Sequence, residues 1–345
     1  MALLSKTPHD CHFYHEFIKD FLPESIIDCH THIWLHRFMS GEAAGRSCLW
    51  PQMVARDNSV EDLFQTNLEL FPGKKVYPVL YSHVSPSLDT LQSNRYVADC
   101  AKRYRLRAIY MSRTEEPLEQ IEQNVAEGGF CGLKVYLEYA PSYIPANEIR
   151  IYDFLPKEQL ALADKHGWVV QLHIARPRRL ADPLNYVQLL EIEQNYPGLQ
   201  LLVAHLGRVY ADEDLGDALE YLRHTEKTIW DFTANTNAYV MEKVLSYFGP
   251  ERFIYGSDFP IFRMKARRVV ENGFYINEIP AGSLGDVSTD PHMREIPYPE
   301  AEKITFFIYE EIAACRRAAH RLQLSHSDIQ KIFYDNAARI FHISD

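Results

Sequence analysis

The feature that most constrains the fold is a series of short apolar runs, each ended by a side chain that can ionise or bind a metal. These residues are His30, His32, Lys134, His173, His205 and Asp258. His30 and His32 end the same run, and successive runs of the series are separated by one, two or three βα units of roughly 30 residues each. In a parallel barrel the carboxyl ends of all strands meet at one face, where reactive groups cluster. The pattern therefore predicts an α/β fold, a single (β/α)8 TIM barrel with its functional side chains at one end.

Eight strand-like runs complete this barrel without a second domain. They lie near residues 26–30, 76–81, 107–111, 132–136, 168–173, 201–205, 228–232 and 253–258. Sequence signals for helices fall between them. Ser59 opens a capping box for a helix that reaches about Phe71. Pro156 and Pro183 suit first helical positions, the latter after Asp182 as N-cap, and Gly167 suits a helix end. We expect one domain over 1–345, with residues 1–24 as an N-terminal helical extension.

Two connections are much longer than the others, His36–Asp57 after strand 1 and Arg263–Tyr298 after strand 8. Loops of this length inside a compact domain are usually functional. We expect both to cover the end of the barrel, with 263–298 acting as a lid or a subunit interface in a homo-oligomer. Trp34, just before the first connection, is a candidate for substrate binding by ring stacking.

The first run ends in Asp28-Cys29-His30-Thr31-His32. Side chains two residues apart in a strand point to the same face, so His30 and His32 can present both imidazoles to one ion. Imidazole suits zinc, iron or nickel. The segment therefore predicts a metal site at the end of strand 1.

Composition narrows the class of protein. The formal net charge of −11 disfavours nucleic acid as a partner, and no apolar run approaches a membrane span. The six cysteines are scattered without a Cys-x-x-Cys pair, which favours reduced thiols. The first twenty residues do not read as a signal peptide. We expect a cytoplasmic enzyme with no membrane partner.

Taken together, these motifs resemble the amidohydrolase superfamily, and most closely the amidohydrolase-2 branch of TIM-barrel metal-dependent hydrolases. The resemblance rests on the His30/His32 segment, Lys134, His173, Ala204-His205-Leu206-Gly207, and Tyr255-Gly256-Ser257-Asp258-Phe259-Pro260, and extends to Phe341. It implies that His30, His32, His173 and Asp258 hold one divalent metal, most consistent with zinc. It further implies that Asp258 is the general base and that His205 polarises the substrate carbonyl or stabilises an oxyanion.

Lys134 has two interpretations. It resembles the fourth-strand lysine that becomes carboxylated and bridges two metals in dihydroorotases and dihydropyrimidinases, in which case Lys134 and His205 would complete a second metal site. Alternatively, its ammonium binds a substrate carboxylate or pairs with an acid such as Glu138. One metal per chain is the preferred expectation, and two remain possible.

The substrate is expected to be a small anion. Arginines are frequent in the loops after the catalytic strands although the chain is acidic overall, and a guanidinium suits a carboxylate. Arg176 and Arg208, three residues past His173 and His205, are the best candidates for substrate contact.

Three functions fit these residues. The first is a metal-dependent hydrolase that uses activated water to cleave an amide, lactone or ester in a small carboxylate-bearing substrate. The second is a metal-dependent, non-oxidative decarboxylase of an unsaturated or aromatic acid, with His205 or Asp258 protonating the carbon. A barrel that only binds a metabolite is disfavoured, because binding alone has no need of a water-activating metal.

Overall fold

A computed structural model of the chain describes residues 3–40 and 50–343. Eight parallel strands form the barrel: β1 (Ser25–Ile33), β2 (Lys75–Ser82), β3 (Tyr110–Met111), β4 (Gly132–Val135), β5 (Val169–Leu172), β6 (Gln200–Val203), β7 (Ile229–Asp231) and β8 (Phe253–Ile254). Strands β3 to β8 pair in chain order, and β1 pairs with β2. Parallel bridges from Leu80 to Ala108 and from Thr31 to Phe259 join these two groups, so the predicted TIM barrel is confirmed.

Helices alternate with the strands, as the βα pattern predicts. Their bounds are α1 (Pro8–Phe13), α2 (Trp50–Val54), α3 (Val60–Leu70), α4 (Thr90–Tyr104), α5 (Leu118–Gly128), α6 (Ile151–Phe154), α7 (Lys157–His166), α8 (Pro183–Asn195), α9 (His205–Arg208), α10 (Ala218–Leu222), α11 (Ala238–Phe248), α12 (Phe307–Arg321), α13 (His326–Gln330) and α14 (Asn336–Phe341). The longest, α4 and α12, have 15 residues each. Within the described ranges no helix combines the length and apolarity needed to cross a bilayer.

Most of the local helix signals are confirmed. Ser59 caps α3 in a capping box, and Asp182 caps α8 with Pro183 at its first position. Gly167 ends α7 with a φ of 65°, a conformation that glycine adopts without strain. The prediction for Pro156 is wrong by one residue, because Pro156 is the N-cap of α7 and Lys157 its first helical residue. Five cysteines are free thiols, and Cys48 lies outside the described residues.

The connection after β8 folds into a small sheet of its own. Strand β10 (Phe274–Pro280) pairs antiparallel with β9 (Arg267–Glu271) and parallel with β11 (Met293–Ile296). Apolar side chains of this segment pack against Trp50 and Met53 of α2, and the indole of Trp50 donates a hydrogen bond to Asp290. The long connections after β1 and β8 therefore meet each other, although residues 41–49 of the first lie outside the described part of the chain.

Asp10 on α1 anchors the N-terminal segment to the rest of the molecule. Its buried carboxylate accepts hydrogen bonds from Lys265 Nζ at 2.6 Å and Thr305 Oγ1 at 2.8 Å, and from the backbone of Thr7 at 2.7 Å. Burial alone would raise the pKa of Asp10, but these donors outweigh it and hold the pKa below its ordinary value. The ionised form thus stabilises the folded chain.

We expect Asp10→Asn to lower the free energy of unfolding by about 1–3 kcal/mol at pH 7, because the amide leaves Lys265 without its buried counter-charge. A depressed folded-state pKa gives stability that is present above the unfolded pKa of about 3.9 and lost as pH falls through the folded value. The difference between wild type and variant should therefore shrink below about pH 4. Chemical denaturation at several pH values measures it, with the exposed Asp20→Asn as control; equal stability of the two variants would contradict the anchor.

Candidate metal centre and active site

The two histidines of β1, His30 and His32, direct their Nε2 atoms towards the same point in the barrel. His30 Nδ1 donates to Asp231 Oδ2 at 3.3 Å, and His32 Nδ1 donates to the carbonyl oxygen of Ser82 at 2.6 Å. These contacts fix the tautomers, so both Nε2 atoms keep a lone pair. Both rings are buried, and burial, reinforced by Lys134, lowers the pKa of each well below its ordinary value. Neutral imidazoles are the form that binds metals.

Asp258 supplies the third donor of this cluster. Its Oδ1 lies 3.8 Å from His30 Nε2 and 3.7 Å from His32 Nε2, and the donor atoms of the three residues lie within 4.8 Å of one another. Burial raises the pKa of Asp258 to about 7, although Lys134 opposes the shift. Two imidazoles and one carboxylate fit a divalent cation such as zinc, manganese or iron.

His173 is near the cluster but faces a different neighbour. Its Nε2 lies 3.2 Å from the hydroxyl of Tyr136, and its ring meets that of His205 edge-on at 4.7 Å. Nδ1 of His173 is buried and has no hydrogen-bond partner among the described residues, an unfavourable state that a ligand would relieve. The role of His173 as a fourth metal ligand stays a prediction.

His205 begins an unusual turn after β6. The residues of α9, His205, Leu206, Gly207 and Arg208, all have positive φ values, between 52° and 67°. A left-handed conformation costs L-residues roughly 1–2 kcal/mol each, so surrounding contacts must stabilise it. Leu206 is fully buried, and a Cβ on Gly207 would lie 3.1 Å from Leu180 and 3.2 Å from Ile174. The turn brings both His205 and Arg208 to the cavity.

The hydrogen bonds of His205 determine what it can do. Its Nδ1 donates to the carbonyl oxygen of Thr233 at 2.8 Å, which leaves a lone pair on Nε2. Burial lowers the pKa of His205 to about 4, despite the opposing effect of Asp231. With Nδ1 engaged in this way, a neutral His205 presents an acceptor towards the cavity; its predicted role in polarising a carbonyl or stabilising an oxyanion, which needs a donor, stays a prediction.

Lys134 lies behind the cluster and does not line the cavity. It is fully buried on β4, and its Nζ lies 3.0 Å from His30 Nε2. Burial lowers the pKa of Lys134 to about 8, although Asp231 and Asp258 oppose the shift. An ammonium here competes with a cation for the lone pair of His30. This position is more consistent with a lysine that affects metal binding through His30 than with a lysine that contacts the substrate directly.

Asp231, at the end of β7, is a residue that sequence reasoning placed in a strand without a role. Oδ2 accepts from Gln171 Nε2 at 2.9 Å as well as from His30, while Oδ1 accepts the backbone N–H of His205 at 2.7 Å and of Thr233 at 3.2 Å. One buried carboxylate thus orients groups on β1 and on the turn after β6. The signal that could have found it is an acid within the otherwise apolar run of strand 7.

A cavity of about 210 Å³ opens above these residues. The three donors, His173 and His205 line its base, and Trp50, Tyr275 and Arg268 line it from the two long connections. Arg208 lines it as predicted. Arg176 and Trp34 do not: Arg176 Nε donates to Asp182 at 2.8 Å, and Trp34 is buried beneath His83, with ring centroids 4.3 Å apart.

The fold and the site define a TIM barrel with a candidate site for a divalent metal at the carboxyl ends of its strands. The chain belongs to the amidohydrolase-2 family, whose pattern matches residues 27–278. No protein of curated function matches it by sequence.

Solved structures share the fold at low identity. They include a probable 2-pyrone-4,6-dicarboxylic acid hydrolase from Acinetobacter baumannii with citric acid bound (18% identity, 92% of this chain and 99% of that one, TM-score 0.55). Another is 5-carboxyvanillate decarboxylase from Sphingomonas paucimobilis (11% identity, 93% of this chain and 100% of that one, TM-score 0.56). A third is a dihydroxybenzoic acid decarboxylase from Polaromonas sp. JS666 with bound manganese and the inhibitor 2-nitroresorcinol (14% identity, 93% of this chain and 98% of that one, TM-score 0.55). At these identities the likeness establishes the fold only.

Proposed function

We propose that this protein is a metal-dependent hydrolase that cleaves an amide, lactone or ester bond in a small carboxylate-bearing substrate. The observation that carries the proposal is the convergence of His30 Nε2, His32 Nε2 and Asp258 Oδ1 at the base of a cavity that also contains Arg208. The proposal includes one zinc ion per chain, with a second only if Lys134 is carboxylated. A cytoplasmic homo-oligomer is the expected setting.

A divalent cation at this site would supply positive charge that acidifies water and polarises a carbonyl group. The chain's own residues do the rest. Asp258, whose carboxylate lines the cavity beside the candidate metal site, accepts the proton of the attacking water and returns it to the leaving group. His205 Nε2 accepts a hydrogen bond from the water or the substrate, and Arg208 binds the substrate carboxylate.

One observation favours decarboxylation as a second candidate. Asp258 lines the cavity beside the candidate metal site, where a protonated carboxyl group would donate a proton to carbon. His205 suits that step less well, because its pKa of about 4 leaves it neutral. Two of the structural neighbours named above are decarboxylases of aromatic acids.

A substrate panel separates the two reactions. Zinc-loaded and metal-free enzyme should be given carboxylate-bearing lactones, amides and esters in one arm and aromatic or unsaturated acids in the other. We expect metal-dependent ring opening or bond cleavage in the first arm. Metal-dependent release of carbon dioxide in the second arm alone would favour the decarboxylase, and turnover by metal-free enzyme would exclude both mechanisms.

The contribution of Arg208 is testable with one matched pair of substrates. Arg208→Met should raise KM for an acid substrate by about ten- to a hundredfold, the cost of a lost charge-assisted contact, and should leave its neutral methyl ester unaffected. Steady-state kinetics measures both. Arg178→Met, an exposed arginine of the loop after β5, is the control. Arg176→Met should have a smaller effect than Arg208→Met, since Arg176 pairs with Asp182. Equal changes for acid and ester would show that Arg208 does not recognise the carboxylate.

A further inference from the structure

The arginines around the cavity fall into two groups. Arg176, Arg179 and Arg267 each pair with a carboxylate, on Asp182, Asp214 and Glu278 respectively. Arg208 and Arg268 instead donate only to neutral oxygens among the described residues. Arg208 Nη1 donates to the carbonyl of Ile174 at 3.1 Å, and Arg268 donates to Asn277 and Ala234. The two arginines that line the cavity are thus the two of this set that form no hydrogen bond or ion pair with a carboxylate in the described chain.

Arg268 is held in a single orientation. Its Nε donates to Asn277 Oδ1 at 2.9 Å, and its Nη1 to the carbonyl of Ala234 at 2.6 Å. The guanidinium carbon lies 4.4 Å from the ring centroid of Tyr210 and 4.8 Å from that of Tyr275. These contacts use two of its five N–H groups, so the others remain for a ligand in the cavity. A guanidinium fixed before binding loses little entropy when it binds.

Nearby acids do not neutralise this charge. Glu311 on α12 directs Oε2 to the N–H of Ala234 at 2.7 Å, and burial raises the pKa of Glu311 well above its ordinary value. The two carboxyls that line the cavity are Asp258 and Glu138. Glu138 also acts electrostatically on Arg208. With a divalent cation at the cluster, the positive charges of the cation, Arg208 and Arg268 would exceed the negative charges of these two carboxyls, which leaves a net positive charge for the substrate.

We propose that Arg268 binds a second acidic group, so that the substrate is a dianion whose two acidic groups contact Arg208 and Arg268. This inference rests on the proposed function for the reaction itself, but it concerns recognition. It assigns a specificity role to β9, within the connection that follows the last barrel strand. Dicarboxylates with a planar body would fit best, because the rings of Tyr210 and Tyr275 flank the guanidinium.

The test compares two probes of the same shape that differ by one charge: isophthalate and its monomethyl ester. Their affinities for the zinc-loaded full chain are measured by calorimetry, which needs no turnover. We expect wild type to bind the diacid at least about tenfold more tightly than the monoester. Arg268→Met should reduce this ratio to about twofold or less, and Arg268→Lys, which keeps the charge but loses the planar fork, should give an intermediate ratio.

Arg267→Met is the matched control, because Arg267 lies next to Arg268 on β9 but pairs with Glu278. It should keep the wild-type ratio, and thermal unfolding should show that all variants are folded. A wild type without a diacid preference, or an Arg268→Met variant that retains it, would overturn the inference. Failure of the proposed function has a different signature: the diacid preference would depend on Arg268 while no metal-dependent cleavage is found.

Discussion

Replacing His30 with alanine or Asp258 with asparagine is expected to remove bound metal and to lower kcat/KM by several orders of magnitude. Each change deletes one of three donors whose atoms converge within 4.8 Å. A cation that loses one ligand of three is held more weakly, and Asp258→Asn also removes the group that accepts and returns the proton. No other pair of substitutions is expected to have so large an effect on activity.

Elemental analysis of protein purified without chelator, together with kinetics on a substrate found in the panel, measures both losses. His36→Ala is the matched control, because His36 follows the same strand but is exposed to solvent. It should keep metal and activity. Full activity in a metal-free His30→Ala preparation would falsify the proposed mechanism. Two metals per chain that depend on Lys134 and on bicarbonate would replace the one-metal expectation with the carboxylated-lysine arrangement.

Asp231→Asn is expected to weaken both the metal site and the fold. In the part of the chain that the structure describes, four groups donate hydrogen bonds to this carboxylate, from Gln171, His30, His205 and Thr233. An asparagine offers one acceptor oxygen and an NH2 group that faces donors, so some buried N–H groups lose their partner. We expect metal affinity to fall by about 10- to 100-fold and the free energy of unfolding by about 2–4 kcal/mol.

The metal affinity of Asp231→Asn is measured by competition with a chromogenic chelator, and its free energy of unfolding by denaturation of the metal-free protein. Glu271→Gln is a suitable control, because it breaks an exposed pair with Arg294 that should be worth less than about 1 kcal/mol. Wild-type metal affinity in Asp231→Asn would mean that the ring of His30 is oriented by packing alone.

The barrel could be predicted from the sequence because its signals are local and repeated. Five of the apolar runs carry an ionisable side chain that marks the carboxyl end of a strand, and the capping residues Ser59 and Asp182 identify helix starts directly. The pairing of His30 with His32 follows from strand geometry. The convergence of these two histidines with Asp258 is a long-range contact, so it could be predicted only from the resemblance to a known family.

The polar contacts around the site could not be predicted, since they depend on orientation between distant segments. Arg176 and Arg208 occupy equivalent places three residues past a strand-end histidine, yet only Arg208 lines the cavity, because Asp182 lies within reach of Arg176. Arg268 stands in a loop with several cationic residues, and nothing in the local sequence distinguishes it from Arg267. The neutral acceptors that leave Arg268 available come from Asn277 and Ala234, on two other segments.

The left-handed turn at residues 205–208 has a consequence for the size of a substrate. In the proposed complex His205 would face the bond to be broken and Arg208 the acid, and both project from one stretch of backbone in which Leu206 and Gly207 are packed tightly. The main chain of this turn therefore sets the distance between the Cα atoms of the two residues. We therefore expect the enzyme to select substrates by length. Homologous substrates that are one methylene longer or shorter would still bind through their carboxylate, but their scissile bond would lie away from His205 and the metal site.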